Sequence, residues 1–234
     1  MGTLTDLRKT VTVKRLLLLM SANMINDAIS IMTFFKLNTS EITLSEINLL
    51  LGRYFCLDLG LTEYARFAAF YATVIYFIVD GLNGDWKKYG LFCFIRLGRK
   101  NYAFSKAASC VILPFFFCTV AVTQSFVCFS VSGIKIMTEQ YVAVGIASFI
   151  ITAVLSEAAL AVFCFIKDAS ATFSATFAVM TALGLVLSRK LTAVPNYYCF
   201  DTVFVRLFVL FVALAAVGSV CLHNIDFISS KIKE

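Results

Sequence analysis

The feature that most restricts this chain is the run from Ala107 to Ile134, in which no residue carries a charge. A second uncharged run covers 169–188. As an α-helix, roughly 20 such residues cross the hydrocarbon core of a bilayer, about 30 Å thick. The composition agrees: 60% of the residues are hydrophobic and 15% charged, with 24 Phe and a mean hydropathy of +0.88. Globular chains average about 45–50% apolar and about 25% charged residues, so the excess here needs a solvent other than water. Four candidate spans follow, near 107–131, 141–164, 170–188 and 203–222. The expected fold class is an all-α integral membrane protein, with N-terminal amphipathic helices followed by about four transmembrane helices.

Glu157 is the one acid inside a candidate span. A charge at a helix centre costs about 2.5–3.5 kcal/mol on insertion scales, and the Leu, Ile, Phe and Val residues between Val142 and Phe163 return roughly 3–7 kcal/mol. The span therefore tolerates it. Two roles stay open for this carboxyl: an interfacial or helix-paired group, or a proton or ion site. Gln124 and Thr152 are further polar residues in spans and would join Glu157 along a path if the chain were a transporter or channel.

The two halves differ in charge. Residues 1–106 hold 13 Lys and Arg against 8 Asp and Glu, a net +5, whereas 107–234 hold 7 against 6, a net +1. The basic excess belongs to the half without long uncharged runs, which suggests a basic, amphipathic helical region, 1–106, on the cytosolic membrane surface, followed by a hydrophobic multi-span region, 107–234. In "LSEINLLLGRYFCLDLGL", Ile47, Leu50, Leu51, Tyr54, Leu57 and Leu61 share one face of a 3.6-residue repeat. In the first stretch Leu4, Leu7, Val11 and Leu18 are similarly spaced, with Arg8, Lys9, Lys14 and Arg15 available for lipid phosphates.

Between Arg66 and Asp80 thirteen residues are uncharged, about 20 Å of helix, which is short for a crossing. Asp80-Gly81 and Asn83-Gly84 are turn signals, so a helix is expected to end near Asp80. Trp86 then serves as an interfacial anchor, with Lys87, Lys88, Arg96, Arg99 and Lys100 at headgroup level. By the positive-inside rule this segment and both termini face the cytosol, while Arg189-Lys190 falls on the opposite side and counts against a four-span arrangement.

Catalytic signatures are missing. The single histidine, His223, stands at the end of the last candidate span, and the chain contains no CxxC pair, GxGxxG or P-loop. No enzyme activity, metal or cofactor is expected. The eight cysteines fall largely in lipid-length segments and read as small buried hydrophobes more than as a disulfide framework. Asn38-Thr39-Ser40 is a glycosylation sequon, expected to be cytosolic and unmodified. With apolar spans beside the basic patches, phospholipids are the expected partners and nucleic acid is not. Small residues four apart, Ala143/Ala147, Ala171/Ala175 and Ala215/Ser219, permit helix association and a homo-oligomer.

The order of these features resembles the eleventh peroxin family, peroxisomal membrane proteins that elongate and divide peroxisomes. "DLRKTVTVKRLLLLM" looks like the family's basic amphipathic opening. "EINLLLGRYFCLDLG" is similar to its second amphipathic helix around Leu50, Gly52, Arg53, Phe55, Leu59 and Gly60, and "FAAFYATVIYFIVDGLNGDWKKYGLF" to its apolar-aromatic stretch that ends in an Asp and a turn. Tyr54 stands where a second basic residue is expected after Arg53, and the C-terminal half is more hydrophobic than in most members. In overall character the chain looks like the glycosomal members of kinetoplastids. The resemblance implies a peroxisomal or glycosomal membrane protein that promotes elongation, proliferation and division. It would act by insertion of helices near 4–20 and 44–61 and by self-association, with organelle-division machinery as a possible partner. Competing expectations are a small transporter or channel and an accessory subunit of a larger membrane complex.

Overall fold

The computed structural model describes residues 10–37, 61–84, 86–87, 95, 98–134 and 138–192, with isolated positions between 209 and 220. Five helices occupy most of this: α1 (Val13–Leu37), α2 (Leu61–Gly84), α3 (Arg99–Val131), α4 (Thr138–Ile166) and α5 (Ala169–Thr192). No strand occurs among the described residues, and the chain is an all-α membrane protein. Ala65–Gly84, Lys100–Val131 and Ser148–Ile166 are each long and apolar enough to cross a membrane, and Ala169–Ala182 is a shorter apolar helix.

Side-chain pairs fix the directions. Arg15 meets Asp80 and Arg66 meets Asn26, so α1 and α2 are antiparallel. Asn23 bonds the Ala121 carbonyl and Asp27 the Ser125 hydroxyl, so α1 and α3 are parallel. Cys118 meets Thr152 and Phe126 meets Tyr141, which sets α3 and α4 antiparallel. Consequently the start of α1, the end of α2, the start of α3 and the end of α4 gather at one end of an up-and-down bundle.

The closures have local causes. At the end of α3, Gly133 takes φ 77°, which lets the Ile134 N–H reach the Phe129 carbonyl at 3.0 Å and the Gly133 N–H reach Ser130. This is the Schellman arrangement that a Cβ disfavours. The α4–α5 corner needs only two residues. Lys167 takes φ 57° while its N–H bonds Phe163, and Asp168 caps α5 by accepting from the Ala171 N–H at 2.8 Å. Within the helices, Ser109, Thr119, Ser125, Thr152, Ser156 and Thr176 each place a hydroxyl on the carbonyl four residues back. Hydroxyls satisfied inside their own helix suit an apolar solvent.

The core is aromatic where α2, α3 and α4 meet. Phe67, Tyr71 and Phe77 of α2 are buried with Phe117 and Phe129 of α3 and Leu155 of α4, and Phe77 and Phe117 lie 5.6 Å apart. This changes the expected set of spans. The Arg66–Asp80 stretch is part of a helix that begins at Leu61 and continues through Asp80 to Gly84, giving Ala65–Gly84 crossing length. The two bounding charges do not end it because α1 supplies partners for both: Asn26 and Ser30 for Arg66, and Arg15 for Asp80. The 107–131 and 141–164 expectations fall within α3 and α4, and 170–188 within α5. The 203–222 expectation lies largely outside the described residues.

Candidate functional site

The polar groups of this bundle are on its inside. Asn23, Asn26, Asp27 and Ser30 follow the i, i+3, i+4, i+7 spacing of one helix face, and all four are buried. Opposite them on α1, Leu17, Met24, Ile25, Ile29 and Phe35 are exposed. The helix is amphipathic in the sense opposite to that of a helix in water.

The buried face meets polar groups on both neighbours. The Asn23 Nδ2 donates to the Ala121 carbonyl at 3.1 Å. The Ser125 hydroxyl lies 3.1 Å from Asp27 Oδ1 and 3.0 Å from the Ala121 carbonyl, so its one proton serves either acceptor. From α2, the Arg66 Nε donates to Asn26 Oδ1 at 2.5 Å and a terminal nitrogen donates to the Ser30 hydroxyl. Asp27 is 1% exposed. An ionised carboxylate is costly at such a place unless hydrogen-bonded, and the seam supplies bonded neighbours.

Glu157 is different. It is 0% exposed, and neither carboxyl oxygen has a hydrogen-bond partner. It lies on the most covered part of the bundle, since every residue from Ile151 to Ala161 is buried. Of the other residues expected on a transport path, Thr152 bonds Cys118 and the Ser148 carbonyl, and Gln124 donates to the Met20 carbonyl of α1 at 2.8 Å. Thr152 thus faces α3 and Gln124 faces α1, and no hydrogen bond joins either to Glu157.

The basic residues collect at the end where α1 and α3 begin. Lys14, Lys87 and Lys100 are exposed there. Arg15 donates to Asp80 and to the Thr10 carbonyl, and its guanidinium carbon lies 5.8 Å from the Phe77 ring centre, so it is tied into the bundle. Trp86 is buried against Phe163, with their rings 6.3 Å apart and the Lys167 ammonium 5.2 Å above the indole. The indole therefore joins the end of α2 to the α4–α5 corner. Lys106 is also buried here, 5.5 Å from the Tyr102 ring. Arg99 opens α3. Arg8, Lys9, Lys88, Arg96 and the amphipathic face from Ile47 through Leu50, Leu51 and Tyr54 to Leu57 lie outside the described residues, while Leu61 is the first residue of α2.

Between α3 and α4 a groove of about 430 Å³ is lined by Phe115, Val122, Phe126, Val142 and Phe149, among others. Its walls are almost wholly apolar. Cys110, Cys118 and Cys164 are buried and Cys128 is half-buried. Among the described residues no three His, Cys, Asp or Glu side chains gather as they would around a metal ion.

Sequence reasoning missed the Asn23–Asn26–Asp27–Ser30 stripe because it looked for apolar faces. The signal was present in "SANMINDAIS", where polar residues carry the helical repeat inside an apolar surround. No protein-family model, no curated protein and no solved structure matches this chain.

Proposed function

We propose that this chain is a non-enzymatic, multi-span protein of peroxisomal or glycosomal membranes that promotes their elongation and division. The observation that carries the reading is the collection of Lys14, Lys87 and Lys100 at one end of a membrane bundle, with Arg15 and Lys106 behind them. Such an end adheres to an anionic leaflet, and the positive-inside rule turns it toward the cytosol. The choice of organelle and of activity is supported by the resemblance of residues 1–106 to the eleventh peroxin family. Self-association of the bundles would concentrate their effect on one membrane patch, with division machinery as a further partner.

The test is the location of a tagged full-length chain in cells with marked peroxisomes or glycosomes, scored together with organelle shape on overexpression. Elongated or clustered organelles that carry the tag are expected. A tag on mitochondria, the secretory pathway or the plasma membrane overturns the reading.

A second reading, a small transporter, is favoured by one observation: a fully buried carboxyl without a hydrogen-bond partner at Glu157. Unpaired ionisable groups at membrane depth are frequent members of ion and proton pathways. This reading requires solute or ion flux in proteoliposomes that Glu157→Gln alters, and unchanged flux removes that role from Glu157.

A further inference from the structure

The N-terminal helix raises a separate matter, its depth. From Leu16 to Phe35, between Arg15 and Lys36, the one charged residue is Asp27. Those residues make about 30 Å of helix, the thickness of a hydrocarbon core. Hydropathy alone understates this stretch, because the polar stripe Asn23, Asn26, Asp27 and Ser30 dilutes it.

The bonds to neighbouring helices fix where the stretch lies. Asn23 and Asp27 are held against Ala121 and Ser125, inside the crossing-length Lys100–Val131 stretch of α3. Arg15 is level with Asp80 near the end of α2, and Asn26 is level with Arg66 near its start. A helix bonded to the interior of one crossing-length helix, and near both ends of another, shares their depth.

The outward face agrees. Met24 is 63% exposed and Ile25 65%, in the same register as Asn23 and Asp27 but on the opposite side. Water would favour the reverse arrangement, whereas acyl chains favour this one, because polar groups in a bilayer must be satisfied within protein. We infer that α1 crosses the bilayer beside α3 as an inverted amphipathic helix, with acyl chains as the occupants of its Leu17–Met24–Ile25–Met32 face.

Two consequences follow for the chain. The wedge role that the resemblance implies for residues 4–20 contracts to the residues before α1. The end of α1 and the start of α2 also lie on the membrane side opposite the basic end. Neither consequence depends on which organelle holds the protein.

The experiment uses the full chain in sealed proteoliposomes of defined orientation, with one cysteine added at Thr12, Met24 or Phe35, all exposed positions. Labelling by a membrane-impermeant maleimide is counted as the mass increment over the parent chain. Thr12→Cys and Phe35→Cys are expected to react from opposite sides, one in sealed vesicles and the other only after permeabilisation. A polarity-sensitive fluorophore placed on Met24→Cys before reconstitution, with Ile25→Cys as a second reporter, is expected to emit to the blue and lose emission to mid-chain doxyl lipid but not to iodide. Labelling of Thr12→Cys and Phe35→Cys from the same side overturns the crossing. Quenching by iodide puts water on the face, and quenching by neither agent puts protein there. Either result overturns the acyl-chain assignment.

Discussion

α1 and α4 meet the same bilayer problem in different ways. α1 carries four polar residues on one face and turns them all inward, where neighbouring helices bond them. α4 is apolar almost all round, is covered from Ile151 to Ala161, and encloses a single carboxyl that nothing bonds. In lipid the apolar side chains of α1 gain little by burial, so its position is set by hydrogen bonds, whereas α4 is held by dispersion and close packing. A helix placed by polar bonds has a fixed rotation and depth; one placed by packing tolerates polar error poorly and volume error worse.

The widest separation between the two is expected on truncating apolar side chains. Leu155→Ala opens a cavity at a fully buried site of α4 and is expected to cost about 2–5 kcal/mol. Ile25→Ala, on the outer face of α1, is expected to stay within about 0.5 kcal/mol. Reversible unfolding in micelles, followed by circular dichroism, measures both. Equal losses would mean that the outer face of α1 is packed against something and would end the contrast.

Replacing each helix's acid sharpens it, because the signs are expected to differ. Asp27→Leu removes the acceptor of a bonded seam and is expected to destabilise by about 1–2 kcal/mol, moderated by the Ser125 hydroxyl falling back on the Ala121 carbonyl. Glu157→Leu removes a buried group without a partner, and a gain of about 1–3 kcal/mol is expected. The same unfolding assay decides. A loss at Glu157 would show that its carboxyl has a binding role that outweighs its burial.

Much of α3 and α4 was legible in the sequence, because an uncharged run of crossing length admits few alternatives. α2 was misjudged. Arg66 and Asp80 look like the ends of a thirteen-residue segment only when their partners are unknown, and Asn26, Ser30 and Arg15 lie 36 to 65 positions away along the chain. The inverted face of α1 was hidden for a related reason: the same 3.6 repeat serves a helix in water and a helix in lipid, and what changes is which side is covered. Of the candidate site, Glu157 could be found from sequence because it interrupts an apolar run. The Asp27 seam needed the helix pairing.

The Arg15–Asp80 pair tests how far the bonding of α1 extends toward the surface. Both side chains keep some exposure, 21% and 43%, so solvent weakens their attraction. Arg15→Met is expected to cost under about 1 kcal/mol, less than Asp27→Leu. A cost as large as that of the core truncation would place this end of the bundle in a drier setting than its exposure implies.

The smallest effect is expected where the start of α1 meets α2. A Cβ added at Gly81 would stand 2.9 Å from the Thr10 hydroxyl, too close for both to stay, while the open space beyond Gly84 carries no such conflict. Gly81→Ala sets a helix-propensity gain of roughly 0.5–1 kcal/mol against the displacement of a buried threonine, so a net change of about 0.5 kcal/mol or less is expected. Truncating the obstacle separates the two contributions: in a Thr10→Ala background the same substitution is expected to stabilise by about 0.5–1 kcal/mol. If Gly81→Ala stabilised equally in both backgrounds, Thr10 would not rest on α2. The bonded placement of α1 would then begin at Arg15, leaving the residues before it available to the membrane surface.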